Sequence, residues 1–339
     1  MARILRYAGF KNESSYGVRI SGDATVHVDI ASASLDSPSD VNLIYGGGLG
    51  KSARTYRPGY YHPEGDVVYA FDISTISMAL RWALGGYDFV SGGGAGDLNL
   101  HEIWASSDIT LPSFSTDLGK DAFEHRFMGC ILDTLDISVN NEFCEATLGI
   151  KAQKDAKATL ITDYENLLLP TEYPLAFHEV KVKRIGTGAL GVDEDVSCEV
   201  KDFSLSIANG VSVDAGKGLG SRYPCRMPAF AREVTFDMNL VFDGTTELER
   251  FWGGESGLTN AGTTSLPIEF DFDAGEDGSM KILLPKVIYT SVNLQPSGRD
   301  EMTQQIAGRA FMSPVEGSHA DCSETEIHCR VENARGTLA

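Results

Sequence analysis

Alternating apolar and polar residues dominate the chain, most clearly between Val200 and Phe242. Because successive side chains of a β-strand point to opposite faces, such alternation predicts strands with one buried face. Two runs in this stretch predict a pair of strands in one antiparallel sheet. The apolar positions of the first are Phe203, Leu205 and Ile207, and those of the second are Val234, Phe236, Met238, Leu240 and Phe242.

The segment between these two runs, Gly210 to Ala231, has a different composition. It contains four glycines and two prolines, which predicts a long irregular excursion rather than a tight hairpin. Long loops on a regular sheet are common places for binding. We therefore expect this loop to contact a partner.

The same alternation recurs along the chain. A helix is expected over Thr75–Leu84, capped by Ser74 and ended by Gly85 and Gly86. Many short strands with a single helix predict a mainly β fold, an antiparallel β-sandwich or barrel with one flanking α-helix and long loops. Further strands are predicted at Ala24–Ile30, Val67–Ile73, Phe127–Asn141, Cys144–Ile150, Val180–Val182, Ile268–Asp273, Ile282–Thr290 and Gln304–Phe311.

The strand pattern divides the chain into three predicted regions. Residues 1–30 form an N-terminal arm and the first strand, residues 31–312 form the β domain, and residues 313–339 form a polar, mobile C-terminal tail. Within the β domain, the loop 38–66 is rich in Gly, Pro and Tyr. Because Tyr buries a large area at low entropic cost, this loop is expected to meet a partner.

Charge and hydropathy restrict the classes of function. Among 339 residues, 48 are acidic and 28 are basic, giving a net charge of −20. Tight binding of nucleic acid through phosphates needs clustered Lys and Arg, so this balance disfavours it. No window approaches the roughly 18 apolar residues of a membrane helix, and the first residues lack the apolar core of a signal peptide. We expect a cytosolic product.

The motifs that could hold a ligand are incomplete. GGGLGKS at 46–52 has Tyr45 where a phosphate-binding loop needs its first glycine. DFDAGEDG at 271–278 lacks the final glutamate of a calcium loop and favours a hairpin turn, and His319, Cys322, His328 and Cys329 lack zinc-finger spacing. No nucleophile motif is legible. We expect no cofactor, no metal and no enzymatic activity.

The ordered segments of the chain resemble the tail tube proteins of long-tailed, siphovirus-like viruses of bacteria or archaea. No one segment is diagnostic, but together they span about residues 12–312. In order, they are ESSYG, GDVVYAFDISTISMALRWALGG, LPSFST, FMGCILDTLDISVNN, VKDFSLSIANG, GKGLGSRYPCRMP, REVTFDMNLVFDGTTELERFWGG and ILLPKVIYTSVNLQPSGRDEMTQQIAGRAF.

The resemblance implies a structural β-sandwich subunit that closes into a ring, usually of six, and rings that stack into a hollow tube for viral DNA. Its partners would be other copies of itself, further tail proteins at the tube ends, and DNA that passes without specific binding. It would lie in the virion tail after assembly in the host cytoplasm. Exposed sheet edges and head-to-tail contacts that close are physically suited to ring formation.

Within this hypothesis two sets of residues are candidates for function. Acids on the polar faces of strands would line the lumen and repel DNA, namely Asp136, Asp237, Glu269 and Asp271. Residues of the two long loops would contact neighbouring subunits, together with the N-terminal arm. They are Tyr45, Tyr56, Tyr60, Tyr61, Leu219, Arg222 and Tyr223.

Two other classes of function fit the same pattern. A β-sandwich module for adhesion or carbohydrate binding would be a monomer or small oligomer with an aromatic patch. A tube or cap subunit of a contractile injection system would keep the fold but limit the assembly, for example to one ring.

Overall fold

The computed structural model describes most of the chain. The described ranges are residues 6–22, 24–45, 52–140, 142–159, 161, 164–185, 193–259, 264–294, 302–315 and 322–338. The phosphate-loop-like segment at 46–51 and His319 lie outside them.

The first half of the described chain is a series of antiparallel strands interrupted by one helix. The helix is α1 (Ile73–Leu84). The strands are β1 (Tyr7–Asn12), β2 (Val26–Asp29), β3 (Ser32–Ala33), β4 (Ser39–Tyr45), β5 (Ala53–Tyr61), β6 (Glu64–Ala70), β7 (Gly85–Val90), β8 (Asn99–Ala105), β9 (Phe114–Lys120), β10 (Phe123–Val139), β11 (Cys144–Lys151) and β12 (Lys154–Ala158).

The second half repeats this composition, with a second short helix, α2 (Thr246–Trp252). The strands are β13 (Val180–Arg184), β14 (Glu194–Asp195), β15 (Val200–Ala208), β16 (Glu233–Val241), β17 (Leu266–Asp273), β18 (Gly278–Leu294), β19 (Thr303–Ala310), β20 (Ser313–Pro314), β21 (Glu324–Thr325) and β22 (His328–Asn333). The mainly β prediction is confirmed, although the sequence predicted one α-helix and the described residues contain two, together with short 3-10 turns.

Two long strands join the sheets. Both β10 and β18 have 17 residues. The N-terminal part of β10 pairs with β9 and β12, and its C-terminal part pairs with β11 and β15. The strand β18 pairs first with β17 and β22 and then with β19. Through these shared strands the sheets close into a barrel.

The core lies inside this barrel. The predicted pair is present, since β15 runs antiparallel to β16 with Phe203 opposite Met238. The alternating apolar residues of both strands are buried, and Phe203 stacks on Phe270 of β17 at 4.5 Å between ring centroids. The hairpin turn predicted after β17 is also confirmed, because Phe272 pairs with Met280. The alternation therefore identified the buried faces correctly.

The helix α1 begins two residues earlier than predicted, and its cap is not Ser74. Asp72 is the N-cap, and its side chain accepts a hydrogen bond from the Thr75 amide at 2.8 Å. The Ser74 hydroxyl instead donates to Glu172 at 2.8 Å. The predicted C-terminal end is confirmed, because Gly85 adopts the positive φ of 84° that ends the helix.

The N-terminal segment differs from the predicted arm. Residues 7–12 form β1, which pairs with β2 on one side and β9 on the other. Tyr7, Ala8 and Phe10 are buried. This segment is therefore part of the sheet, so the predicted arm is wrong for residues 7–12, and the strand near residues 24–30 is the second strand rather than the first.

The C-terminal segment is also part of the barrel. The strand β22 pairs with β8 and β18, and Ile327, Cys329 and Val331 belong to the main core. Leu338 is buried as well, with its amide donating to the Tyr87 hydroxyl at 2.8 Å. The mobile tail predicted for residues 313–339 is therefore wrong for this part, where alternation within a short polar segment was overlooked.

Replacing Ile327 with alanine tests the contribution of the C-terminal segment. Ile327 has no exposed surface, so Ile327→Ala should lower the free energy of unfolding by about 2–5 kcal/mol through lost burial and a residual cavity. Denaturant unfolding of the purified subunit measures this change. The exposed Ser323 lies in the same segment, and Ser323→Ala should change stability by less than about 0.5 kcal/mol. Equal stability of the two variants would contradict a buried C-terminal strand.

Candidate assembly surfaces

The loop 38–66 is largely a β-hairpin rather than an irregular loop. Strands β4 and β5 form their own two-stranded sheet, separate from the barrel. Every residue of β4 and the first six residues of β5 are exposed. At about 3.3 Å per residue, a strand of this length reaches roughly 23 Å. We call the strand pair β4 and β5 the exposed hairpin.

One face of the exposed hairpin is apolar. Val41 pairs with Pro58 and Leu43 pairs with Tyr56, so these side chains share a face, and Tyr45 follows on the same side of β4. Tyr45 and Tyr56 are each 63% exposed, and Leu43 is 53% exposed. An apolar surface of this kind on a subunit indicates a contact with another protein.

The root of the exposed hairpin packs on the loop 210–231. The Tyr61 amide donates to the Arg222 carbonyl at 2.9 Å, and the Arg222 guanidinium donates back to the Gly59 carbonyl at 3.0 Å. The rings of Tyr61 and Tyr223 meet edge to face at 5.6 Å. Two regions 160 residues apart in the chain thus form one surface.

Tyr60 extends the same contact. Its hydroxyl donates to the Val213 carbonyl at 3.5 Å, and the Lys217 ammonium lies 4.7 Å from the centroid of its ring. Burial raises the pKa of Tyr60 above its ordinary value, with a further contribution from Cys225 and Asp214. The Tyr60 side chain is therefore neutral and acts as a packing and hydrogen-bonding group.

The loop 210–231 is itself fixed to the barrel. The Val211 amide donates to Asp133 at 2.7 Å, and Lys151 bridges the Asp133 carboxylate and the Val211 carbonyl at 2.7 and 2.8 Å. Gln153 donates to the Pro224 carbonyl at 2.9 Å. No strand forms between β15 and β16, as the glycines and prolines predicted. The loop is an irregular but hydrogen-bonded platform.

The predicted contact residues therefore fall into three groups. Tyr45 and Tyr56 lie on the apolar face of the exposed hairpin. At its root, Tyr61 contacts Arg222 and Tyr223, and Tyr60 contacts Val213 and Lys217 of the same loop. Leu219 is fully exposed at the far part of the loop.

Asp136 and Asp237 lie on one polar face of the barrel. In one cross-strand row Asp136 is flanked by Thr147 and Ser206. In the next row Asp237 is flanked by Ser204 and Ala307. The two acids lie two strands apart, about 10 Å at ordinary strand spacing. Their direct neighbours are uncharged, so this part of the surface is acidic.

Glu269 and Asp271 occupy a different electrostatic environment. The Lys183 ammonium lies 2.6 Å from Asp271 and 3.7 Å from Glu269. The hydrogen bond to Asp271 raises the pKa of Lys183, so the lysine keeps its charge. Asp271 pairs with Lys181 on one side and Lys281 on the other. This part of the surface is charge-balanced.

The two pairs of acids are also far apart. Ser291 of β18 lies in the row of Asp237, and Lys281 of the same strand lies in the row of Asp271. These two positions are ten residues apart in β18, which corresponds to about 30 Å along the strand. The structure therefore separates four residues that the sequence pattern treated alike.

Sequence reasoning missed several residues of these surfaces. Val41, Leu43 and Ile44 are exposed on β4. The alternation of Val41 and Leu43 with Asp40 and Asn42 is a usable signal for a strand. Ser37, His125 and Asp155 meet at the root of the exposed hairpin. No local pattern marks that cluster, because its members come from three separate segments.

Two findings on the described ranges concern metal ions and membrane-spanning helices. The described ranges contain no group of three or more His, Cys, Asp and Glu side chains placed to hold a metal ion. Among the helices of these ranges, none is long and apolar enough to cross a bilayer. Cys329 is fully buried, and burial raises the pKa of its thiol. It is therefore an uncharged core side chain.

Comparison with known proteins gives one extensive match. A model of the family described as phage tail tube protein matches residues 6–310. A search of curated protein sequences found no match.

Two of the solved structures that match are distant in sequence. A chain from the virion of a native gene transfer agent particle is 14% identical, with 40% of this chain and 93% of that chain covered and a TM-score of 0.23. Apo MrkH from K. pneumonia is 8% identical, with 72% and 87% covered and a TM-score of 0.18. Neither carries an argument about function. The family match spans nearly the whole described barrel, and the chain therefore belongs to the phage tail tube protein family.

Proposed function

We propose that this protein assembles into rings, six subunits to a ring, and that the rings stack into the hollow tube of a viral tail through which DNA passes. Family membership makes the chain a structural protein of the viral tail. In the proposal it acts without catalysis or a cofactor, binds other copies of itself and further tail proteins at the tube ends, and assembles in the host cytoplasm.

The exposed hairpin is the observation that supports assembly most directly. An isolated two-stranded hairpin is marginally stable in water, and this one exposes an apolar face on the subunit. Burial of a Leu-sized or Tyr-sized side chain stabilises a contact by about 1.5–3 kcal/mol. A neighbouring subunit that covers Leu43 and Tyr56 would therefore stabilise both the hairpin and the tube.

The charge distribution supports the passage of DNA. DNA binding is driven largely by counterions that cationic side chains release from the phosphates. A wall without such side chains releases none and therefore does not favour binding. We assign the lumen to the polar face that carries Asp136 and Asp237, because its row neighbours are uncharged. Glu269 and Asp271 remain candidates for the same wall, but Lys183 offsets part of their charge.

Electron microscopy of the purified protein tests the assembly. We expect long hollow tubes about 10 nm wide, the span of a small ring of domains of this size. Single rings would favour a cap or a subunit of a contractile injection system. Particles of one to a few subunits under all solution conditions would contradict the proposal and favour an adhesion module.

Charged substitutions on the apolar hairpin face should prevent assembly without unfolding the subunit. In the double variant Leu43→Asp, Tyr56→Asp, both altered side chains are solvent-exposed, so the free energy of unfolding should change by less than about 1 kcal/mol. Burial of the new carboxylates at an interface would be costly. We expect sedimentation and microscopy to show only unassembled subunits.

The opposite face of the same hairpin provides the control. Asn42 and Thr55 are exposed there, and Asn42→Asp, Thr55→Asp adds the same charge to the same strands. This control should still form tubes. Normal tubes from the Leu43 and Tyr56 variant would refute a role for the apolar face.

Reversing the acidic face should make the tube retain DNA. In tubes of the double variant Asp136→Lys, Asp237→Lys, we expect DNA to bind, with log K falling by about 0.9 per phosphate contacted for each unit of log salt concentration. Wild-type tubes should not retain DNA under the same conditions. Co-sedimentation of short duplex DNA with the tubes measures this.

The turn between β17 and β18 provides a control variant with the same change of net charge. Glu276 and Asp277 are exposed there, and Glu276→Lys, Asp277→Lys adds the same four positive charges to the net charge of a subunit. DNA retention by this variant should stay at the wild-type level. Equal retention by both variants would place Asp136 and Asp237 outside the lumen.

A further inference from the structure

The root of the exposed hairpin converges on one carboxylate. Asp155 lies on the short strand β12, which pairs with the N-terminal part of β10. One of its oxygens accepts from the Tyr61 hydroxyl at 2.5 Å. The other accepts from the Ser37 hydroxyl at 2.7 Å and pairs with His125 Nε2 at 2.6 Å. Both oxygens of Asp155 are therefore occupied.

These partners come from the two ends of the hairpin and from the barrel. Ser37 precedes β4 by two residues, and Tyr61 is the last residue of β5. His125 belongs to β10, a strand of the barrel frame. One side chain thus ties the entry and the exit of the exposed hairpin to the sheet from which it projects.

The environment favours the ionised form of Asp155. Its side chain is 20% exposed and that of His125 is 12% exposed. Burial alone would raise the pKa of Asp155, but the hydrogen bonds from Tyr61, His125 and Ser37 outweigh it and lower the pKa below its ordinary value. Charge-assisted hydrogen bonds of this kind are shorter and stronger than neutral ones.

Because the hairpin is long, a small change of orientation at its root displaces its far end by several ångströms. The hairpin reaches roughly 23 Å from its root, so a rotation of about 10° at the root would move its tip by about 4 Å. Protein interfaces pack as closely as protein interiors, and an error of that size would prevent the apolar face from meeting its neighbour.

We infer that Asp155 is a positioning residue for assembly, which holds the exposed hairpin in the direction needed to contact the next subunit. This inference rests on the proposed function. Asp155 does not itself touch the neighbour. It acts through Ser37 and Tyr61, because its hydrogen bonds link both hydroxyls to His125 of the barrel.

The test is Asp155→Asn, compared with Asp243→Asn, which makes the same change of charge at an exposed position on the loop after β16. An amide has one acceptor oxygen in place of two, so it cannot accept hydrogen bonds at both of the positions where Asp155 accepts from Tyr61 and from Ser37. Hydrogen exchange of the unassembled subunit should become about tenfold faster or more at residues 36–64, with exchange in β15 and β16 unchanged. The rate of tube formation, followed by light scattering, should fall by about the same factor.

A second variant tests the contact itself. Tyr61→Phe removes only one of the three donors and should give a smaller effect. In the Asp155→Asn background it should add little, because the two side chains act on each other. Asp243→Asn should match wild type in exchange and in assembly.

The outcomes separate this inference from the proposed function. Unchanged exchange at residues 36–64 in Asp155→Asn would overturn the anchoring, even if wild-type tubes form. Faster exchange with a normal rate of assembly would overturn the positioning role. If wild-type protein formed no tubes, the proposed function and the assembly role of Asp155 would fall together, and the exchange experiment alone would still support or reject the anchor.

Discussion

The barrel depends on two long strands that each serve different neighbours along their length. In β10 the change of partners occurs near Gly129, where the pairing with β9 shifts register. Gly129 has a φ of 64°, and a Cβ there would lie 3.1 Å from the Cα of Gly17. In β18 the irregular pairing with β17 coincides with Pro285, and proline is tolerated at such bulges. Because a β-bulge bends and twists the strand that carries it, these irregularities help each long strand to pass from one set of neighbours to the next around a shared core.

The barrel holds the bases of the two projecting segments, the exposed hairpin and the loop 210–231, in fixed positions. The described residues of the exposed hairpin lie outside the main core, and the loop 210–231 adds Val211, Met227 and Ala229 to a small separate cluster. The two segments contact each other and are fixed to the sheet by Asp155, Asp133 and Lys151. Loops carry function best when a regular scaffold fixes their bases. The apolar face of the hairpin is exposed in a single subunit, and a second copy of the chain is the partner that the family points to.

The acidic composition of the chain does not show which surfaces are acidic. That depends on the face of the sheet on which each acid lies. The net charge of −20 is a property of the whole chain. Lys183 forms ion pairs with Glu269 and Asp271, whereas the residues paired directly with Asp136 and Asp237 are uncharged. A lysine from β13 meets acids of β17 because the two strands pair. In the proposed tube, local charge rather than net charge would decide which surface repels DNA.

The sequence by itself determined the mainly β class, the β15–β16 pair and its buried faces, the irregular loop between these two strands and the C-terminal end of α1. These features follow from alternation, glycine and proline, which act over a few residues. It also named Tyr60, Tyr61, Arg222 and Tyr223 without showing that they touch. The pairing of β1 and β22 within the sheet, the exposed hairpin, the separation of the four acids and the Asp155 cluster were decided by the tertiary structure. Each brings together residues distant in the chain, and a local pattern holds no information about such contacts.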